Sequence, residues 1–255
     1  MVINESLISE LEKIPEPGPL LAELDRRFPG RMAIGTSGQL TGCALIDMAT
    51  QANITPRVFT VDTLRLFPET YELFEALEKR YGLRIERRAP DPKDLDSMVR
   101  THGEYLFFDS KEKQELCCNL RKVLPNQKAL DSLDVWITGL RADQSQTRAK
   151  GSRFQIISSP EGRGNKGRPI LKVAPLLDWT EARVRDYLKA NNVPVHKLLE
   201  QKLPGGYYYE SLGCIICTTP IGPHEPRRAG RWRWFNAQDD NKECGIHLPT
   251  QEKPA

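Results

Sequence analysis

Apolar positions along the chain fall into short unbroken runs separated by longer stretches with helical spacing. The run at 31–35 (RMAIG) enters Thr36-Ser37-Gly38-Gln39, after which Ala44, Leu45, Ile46, Met48 and Ala49 recur on one helical face, predicting strand, glycine loop, helix. A second strand is predicted at 57–61 (RVFTV), ending in Asp62-Thr63. Pro68 then opens an amphipathic helix through Leu73, Phe74, Leu77 and Tyr81. A third strand is expected at 83–88, helices at 94–102 and 111–123, a buried strand at 135–139 (VWITG) followed by a polar loop over 140–151, and a further strand at 170–174. Asp178-Trp179-Thr180-Glu181 has the form of a capping box and starts a helix over 181–191.

Strands alternating with helices predict an α/β fold, a doubly wound and mainly parallel twisted sheet. In such sheets ligands bind beyond the C-terminal ends of the strands. The polar motifs at Ser37-Gly38, at Asp62-Thr63 and in the loop after 139 all follow strands. Residues 1–20 are helix-like and then rich in Pro and Gly, and read as an N-terminal arm, with order beginning near Leu21. Residues 21–234 form the α/β domain, and 235–255, with little apolar periodicity, a mobile C-terminal tail.

With 255 residues and 39% hydrophobic content, the chain is long enough for one large core. Basic residues number 37 and acidic ones 34, a formal net charge of +3, too small to imply a nucleic-acid partner. The start of the sequence lacks a signal layout and no apolar run reaches membrane-spanning length, so a cytoplasmic, non-membrane protein is expected.

Chemistry concentrates in cysteines and arginines. Cys117-Cys118 and Cys214-x-x-Cys217 form two pairs far apart in sequence, whereas Cys244 stands alone in Lys242-Glu243-Cys244-Gly245-Ile246-His247. In a reducing compartment such pairs suit metal ligation, and four thiolates fit either a [4Fe–4S] cluster or a structural zinc. Cys244 reads as a nucleophile whose thiol pKa is lowered by Lys242, His247 or nearby arginines. Cys43, in an apolar helix, reads as core, and His102, His196 and His224 show no ligand spacing. The loop at 138–148 supplies Arg141, Gln144 and Arg148 for bidentate capture of phosphate or sulfate oxygens. The stretch Arg227, Arg228, Arg231, Arg233, with Trp232 and Trp234, suits a clamp on a small anion. Ser37 and Gly38 suit a phosphate at a helix start.

Together these residues resemble the assimilatory sulfonucleotide reductases, of the iron–sulfur type acting on adenosine 5′-phosphosulfate. The markers are Val61-Asp62-Thr63-x-Arg65-Leu66-Phe67-Pro68-Glu69-Thr70, Cys117-Cys118 with Arg121-Lys122, the Arg141 loop, Gly213-Cys214-Ile215-Ile216-Cys217-Thr218, Gly230-Arg231-Trp232 and Glu243-Cys244-Gly245-Ile246-His247. The resemblance implies an adenine nucleotide alpha hydrolase-like fold and a [4Fe–4S] cluster on Cys117, Cys118, Cys214 and Cys217. It places substrate on Ser37, Gly38, Asp62, Thr63, Arg65, Lys122, Arg141, Gln144, Arg148, Arg228, Arg231 and His247, and makes Cys244 the nucleophile. A thioredoxin (or glutaredoxin) then releases sulfite, and a homo-oligomer is expected. Two departures bear on the nucleotide: Gly38-Gln39-Leu40-Thr41-Gly42 has no carboxylate, and Leu64 stands where the family has glycine. The first leaves 3′-phosphoadenosine 5′-phosphosulfate open as substrate, helped by basic residues over 163–168. An iron–sulfur tRNA-thiolation enzyme and a zinc-stabilised binding module are the competing readings.

Overall fold

In the computed structural model, which describes residues 2–158, 167–235 and 246, the predicted alternation becomes a six-stranded sheet in the order β3-β2-β1-β4-β6-β5. The strands are β1 (Met32–Gly35), β2 (Val58–Val61), β3 (Ile85–Arg88), β4 (Val135–Thr138), β5 (Phe154–Ser158) and β6 (Pro169–Val173). All neighbours pair in parallel except β5 on β6. Strand order reverses between β1 and β4, which opens a crevice at their C-terminal ends.

The helices are α1 (Glu5–Leu11), α2 (Pro17–Arg27), α3 (Leu40–Gln51), α4 (Pro68–Tyr81), α5 (Pro92–His102), α6 (Lys111–Cys118), α7 (Leu124–Leu130), α8 (Gln146–Ala149), α9 (Glu181–Ala190) and α10 (Lys197–Glu200). α4 begins on Pro68 and stops at Gly82, whose φ of +62° suits a residue without a Cβ. α9 is capped by Thr180, whose side chain accepts from the Arg183 N–H. α3 is buried over nearly its whole length, so its apolar run reflects a central position under the sheet.

Two expectations need correction. Order does not begin near Leu21: Leu7, Ile8 and Leu11 of α1 and Leu20, Leu21 and Leu24 of α2 are buried in the main core, each contributing about 1.5–3 kcal/mol. The prolines that suggested an arm place Pro17 at the start of α2, where a missing N–H costs nothing. The second correction is β5, an antiparallel edge strand absent from the sequence reading, which pairs Gln155 with Lys172 and Ile157 with Ile170.

Candidate active site

The crevice between β1 and β4 is the floor of a cleft lined by residues drawn from many parts of the chain. β1 ends at Gly35, where a Cβ would lie 2.5 Å from Trp136 Nε1 and 3.0 Å from Phe59 Cζ. Its absence lets both rings lie across the strand as an aromatic floor. Beyond it, Thr36 Oγ1 accepts from the Gly38 N–H at 3.1 Å, shaping the turn into α3, and Gly38 has a φ of +72°. Ser37 is exposed and lines the cleft, whereas Gly38 is buried and is not among its lining residues.

The loop after β4 turns back so that Arg141 is 3% exposed. Its guanidinium donates to Asp143 (2.9 Å) and to Thr41 Oγ1 (2.7 Å) and lies 3.5 Å from Glu181. Gln144 Oε1 accepts from the Arg141 N–H at 3.1 Å and also from the Arg148 guanidinium. Arg231 is fixed by donation to Leu212 O (2.7 Å), Thr218 Oγ1 (3.0 Å) and Ser211 Oγ (3.3 Å). Lys122, Arg141, Gln144, Arg148, Arg228, Arg231 and Thr63 therefore share the cleft with Ser37.

Other expected residues lie elsewhere. Asp62 is buried and accepts from the Leu64 N–H and the Tyr71 hydroxyl, both at 2.8 Å, so it braces its own turn. Arg65 pairs with Glu104, stacks 5.3 Å from the Phe107 ring centroid and lines a second cavity rather than the cleft. Cys244 and His247, like residues 163–166, lie outside the described residues. In the basic stretch, Arg233 is held by Glu225 at 2.5 Å, and Arg227 by Glu181 at 2.5 Å and by Glu210. Those pairs leave little of a continuous cationic surface for nucleic acid.

The second cavity holds the cysteines. α6 ends on Cys117-Cys118 and passes into a single π-helical turn, Asn119–Val123, a local widening frequent at functional sites. That turn buries Arg121 and Lys122 between the two cavities: Arg121 Nη1 donates to Thr63 O at 2.9 Å, and Lys122 Nζ lies 5.9 Å from the Trp232 ring centroid. Cys117, Cys118, Cys214 and Cys217 are all buried and line this one cavity with Gln114, Arg65, Arg121, Lys122 and Trp232. Gln114 Nε2 donates to Cys118 Sγ at 3.0 Å. A hydrogen bond from Cys217 holds the Cys214 thiol well below the usual cysteine range against the opposing effect of burial, helped by Lys122, Thr63 and Arg231. The same bond and burial push Cys217 up. Among the described residues no group of three or more His, Cys, Asp or Glu side chains is assembled to hold a single metal ion. Lys122, Cys214 and Trp232 line both cavities, so cleft and cysteine pocket are neighbours. Cys43 is fully buried and its thiol is pushed up to about 12, as a core residue should be.

Glu181 and Glu210, which line the cleft, were not anticipated; nor was Trp136. Burial pushes the Glu210 carboxyl up, opposed by Arg227. Among the described residues no helix is long and apolar enough to cross a membrane.

Residues 31–220 match the phosphoadenosine phosphosulfate reductase domain family. An adenosine 5′-phosphosulfate reductase of Agrobacterium fabrum is 38% identical over 196 residues, covering 77% of this chain and 69% of the relative. The enzyme of the same description from Rhizobium tropici is 39% identical over 188 residues, covering 74% and 96%, and that of Allochromatium vinosum 36% over 228, covering 89% and 82%. Among solved structures, a phosphoadenylyl-sulfate reductase from Candida auris superposes with a TM-score of 0.67 at 24% identity, covering 87% of this chain and 99% of that one. An FMN adenylyltransferase from Candida glabrata gives 0.53 at 14% identity, covering 88% and 70%. Both structural matches support the fold.

Proposed function

Since this chain belongs to the phosphoadenosine phosphosulfate reductase domain family, we propose that it reduces adenosine 5′-phosphosulfate to sulfite and AMP, with Cys244 as nucleophile. The observation that carries the reading is a cleft at the strand-order reversal lined by Lys122, Arg141, Arg148, Arg228 and Arg231, abutting a pocket of four buried cysteines.

The nucleotide lies over the turn after β1, with its phosphosulfate among the guanidinium groups, which stabilise charge on the departing phosphate oxygen. The Cys244 thiolate attacks the sulfonyl sulfur. An S–S bond forms, the S–O bond to phosphate breaks, and AMP leaves with the bonding pair, so the enzyme carries a thiosulfonate. A thioredoxin-type dithiol supplies two electrons: its thiolate attacks the Cys244 sulfur, sulfite departs, and its second thiol resolves the mixed disulfide and regenerates Cys244.

The cysteine pocket fits a [4Fe–4S] cluster. Its four sulfur donors have no carboxylate or imidazole among them, and Arg65, Arg121 and Lys122 line the same cavity to balance thiolate charge. A tetrahedral zinc needs four sulfurs at about 2.3 Å from one point, whereas a cubane takes each thiolate on a separate iron corner. When bound, the cluster supplies a fixed sulfur-rich charge and ties α6 to the Cys214 turn. Lys122 lines both the cysteine pocket and the cleft, and Arg121, buried in the cysteine pocket, donates to the carbonyl of Thr63 at the cleft wall.

The neutral loop Gln39-Leu40-Thr41 leaves room for a 3′-phosphate, but Glu181 and Glu210 line the same cleft and favour the less charged nucleotide. The reading includes a cytoplasmic setting and self-association, checked by fractionation and light scattering. Its main test is mass spectrometry of protein treated with adenosine 5′-phosphosulfate and no reductant. A sulfonate adduct on Cys244 is expected, lost with sulfite production in Cys244→Ser; unchanged turnover in that variant ends the proposal. Parallel rates with the 3′-phosphorylated nucleotide decide the substrate.

A further inference from the structure

Lys172 stands in β6 directly beside Trp136 of β4, and the two side chains share one face of the sheet. Its ammonium lies 5.6 Å from the Trp136 ring centroid, and the residue is 7% exposed. Among the described residues no carboxylate pairs with it. The Trp136 ring lies against it, Gln155 is its partner across the β5 pairing, and among the described residues Arg148 is the charged group that acts on it. Burial, reinforced by repulsion from Arg148, lowers its pKa to about 8. A buried ammonium with a cation and an aromatic face for company is costly to keep, and core packing would be served better by methionine.

The position of this cation gives it a use. Trp136 and Arg148 both line the cleft, so Lys172 stands one layer behind its wall. Ile246, two residues along the chain from Cys244, lines the same cleft and packs on the apolar cluster that contains Phe59, Trp136 and Ile170. On the reading of the cleft as a sulfonucleotide site, this end is assigned to the sulfonyl group.

We infer that Lys172 is a positioning residue for the sulfonyl end of the substrate: its unneutralised charge, acting through Trp136 and Arg148, holds the Arg148 guanidinium forward and creates an oxyanion site for sulfonate or sulfite. The inference rests on the reading of this cleft as a sulfonucleotide site. In a low-dielectric wall such a charge acts strongly over one side-chain layer. An effect confined to the sulfonyl end separates this role from general phosphate binding, which sulfite and AMP would share.

The test uses the full chain with Lys172→Met and Lys172→Arg. Inorganic sulfite and AMP are titrated separately by calorimetry, and the rate of adduct formation on Cys244 is measured in single turnover. In Lys172→Met, sulfite affinity and single-turnover rate are expected to fall about tenfold while AMP affinity stays within about twofold, and Lys172→Arg is expected to recover most of both. Unchanged sulfite affinity and rate in Lys172→Met overturn the inference, as does an equal loss of sulfite and AMP in both variants, the mark of a purely structural residue. Should Lys172→Met not fold, Lys172→Gln carries the same comparison. If the unsubstituted protein forms no Cys244 adduct, the parent reading falls by itself, and sulfite titration still decides the role of Lys172.

Discussion

The Cys214 sulfur and Oγ1 of Thr63 are hydrogen-bonded at 3.3 Å, across 151 positions of sequence. The turn after β2 is thereby joined to the cysteine pocket, a link reinforced by the Ile215 N–H donating to Arg65 O at 2.8 Å and by Arg121 on Thr63 O. Thr63→Val keeps the side-chain volume but leaves the buried Cys214 sulfur without this hydrogen-bond partner. Stability in chemical denaturation under anaerobic conditions is expected to fall by about 1 kcal/mol, with less iron retained per chain. Unchanged stability and iron content would show that the bond is incidental.

Leu64 adopts φ +59° and is 55% exposed. A left-handed backbone costs a branched residue about 1–2 kcal/mol, and glycine recovers most of that against an entropic penalty of about 0.5–1 kcal/mol. Leu64→Gly is therefore expected to stabilise the chain by about 0.5 kcal/mol, read as a higher denaturant midpoint at unchanged slope. A lower midpoint would mean that the exposed leucine makes a stabilising contact.

The parallel strands β1, β2, β4 and β6 were legible because they are buried nearly throughout and read as mostly apolar runs. β5 was not, since Ile156 is 36% exposed and the strand sits at the sheet edge among polar residues. α2 carried a readable signal in Leu20, Leu21 and Leu24, hidden by the prolines around it. In the site, residue types were legible and their facing was not. Whether an arginine serves the cleft depends on acids distant in sequence: Glu210 and Glu181 take Arg227, Glu104 takes Arg65, and neither pairing leaves a local pattern. The burial of Arg121 and Lys122 beside the cysteines likewise comes with the π turn after Cys118, which periodicity does not announce.

Two glycines near the cleft separate fold from function. A Cβ at Gly213 would stand 1.8 Å from Arg231 Nη1, the tip of a flexible side chain, whereas one at Gly230 would stand 2.2 Å from the Thr219 backbone carbonyl. Gly213→Ala is expected to displace the Arg231 guanidinium, weakening sulfonucleotide affinity about tenfold with little change in melting temperature. Gly230→Ala, forced against backbone, is expected to cost about 2 kcal/mol or more in stability. Equal stability losses in the two variants would refute the distinction.

His196 gives the fold an acid-sensitive point away from the cleft. It is 1% exposed, its Nδ1 accepts from the Leu198 N–H at 3.3 Å, and its Nε2 lies 2.9 Å from Thr70 Oγ1. With Nδ1 accepting, the proton is on Nε2, which donates to Thr70. Burial lowers the pKa from 6.5 to about 4, against the raising influence of Glu69 and Glu72. Between those values the unfolded chain binds more protons than the folded one, so stability rises with pH through the window. It is complete above about 6.5 and is lost as pH falls toward 4, by on the order of 3 kcal/mol for this residue. His196→Gln removes the titrating group. Denaturation midpoints for both proteins at intervals from pH 7 to pH 4 are expected to show a shallower decline in the variant, and parallel curves would assign the acid sensitivity to carboxylates instead.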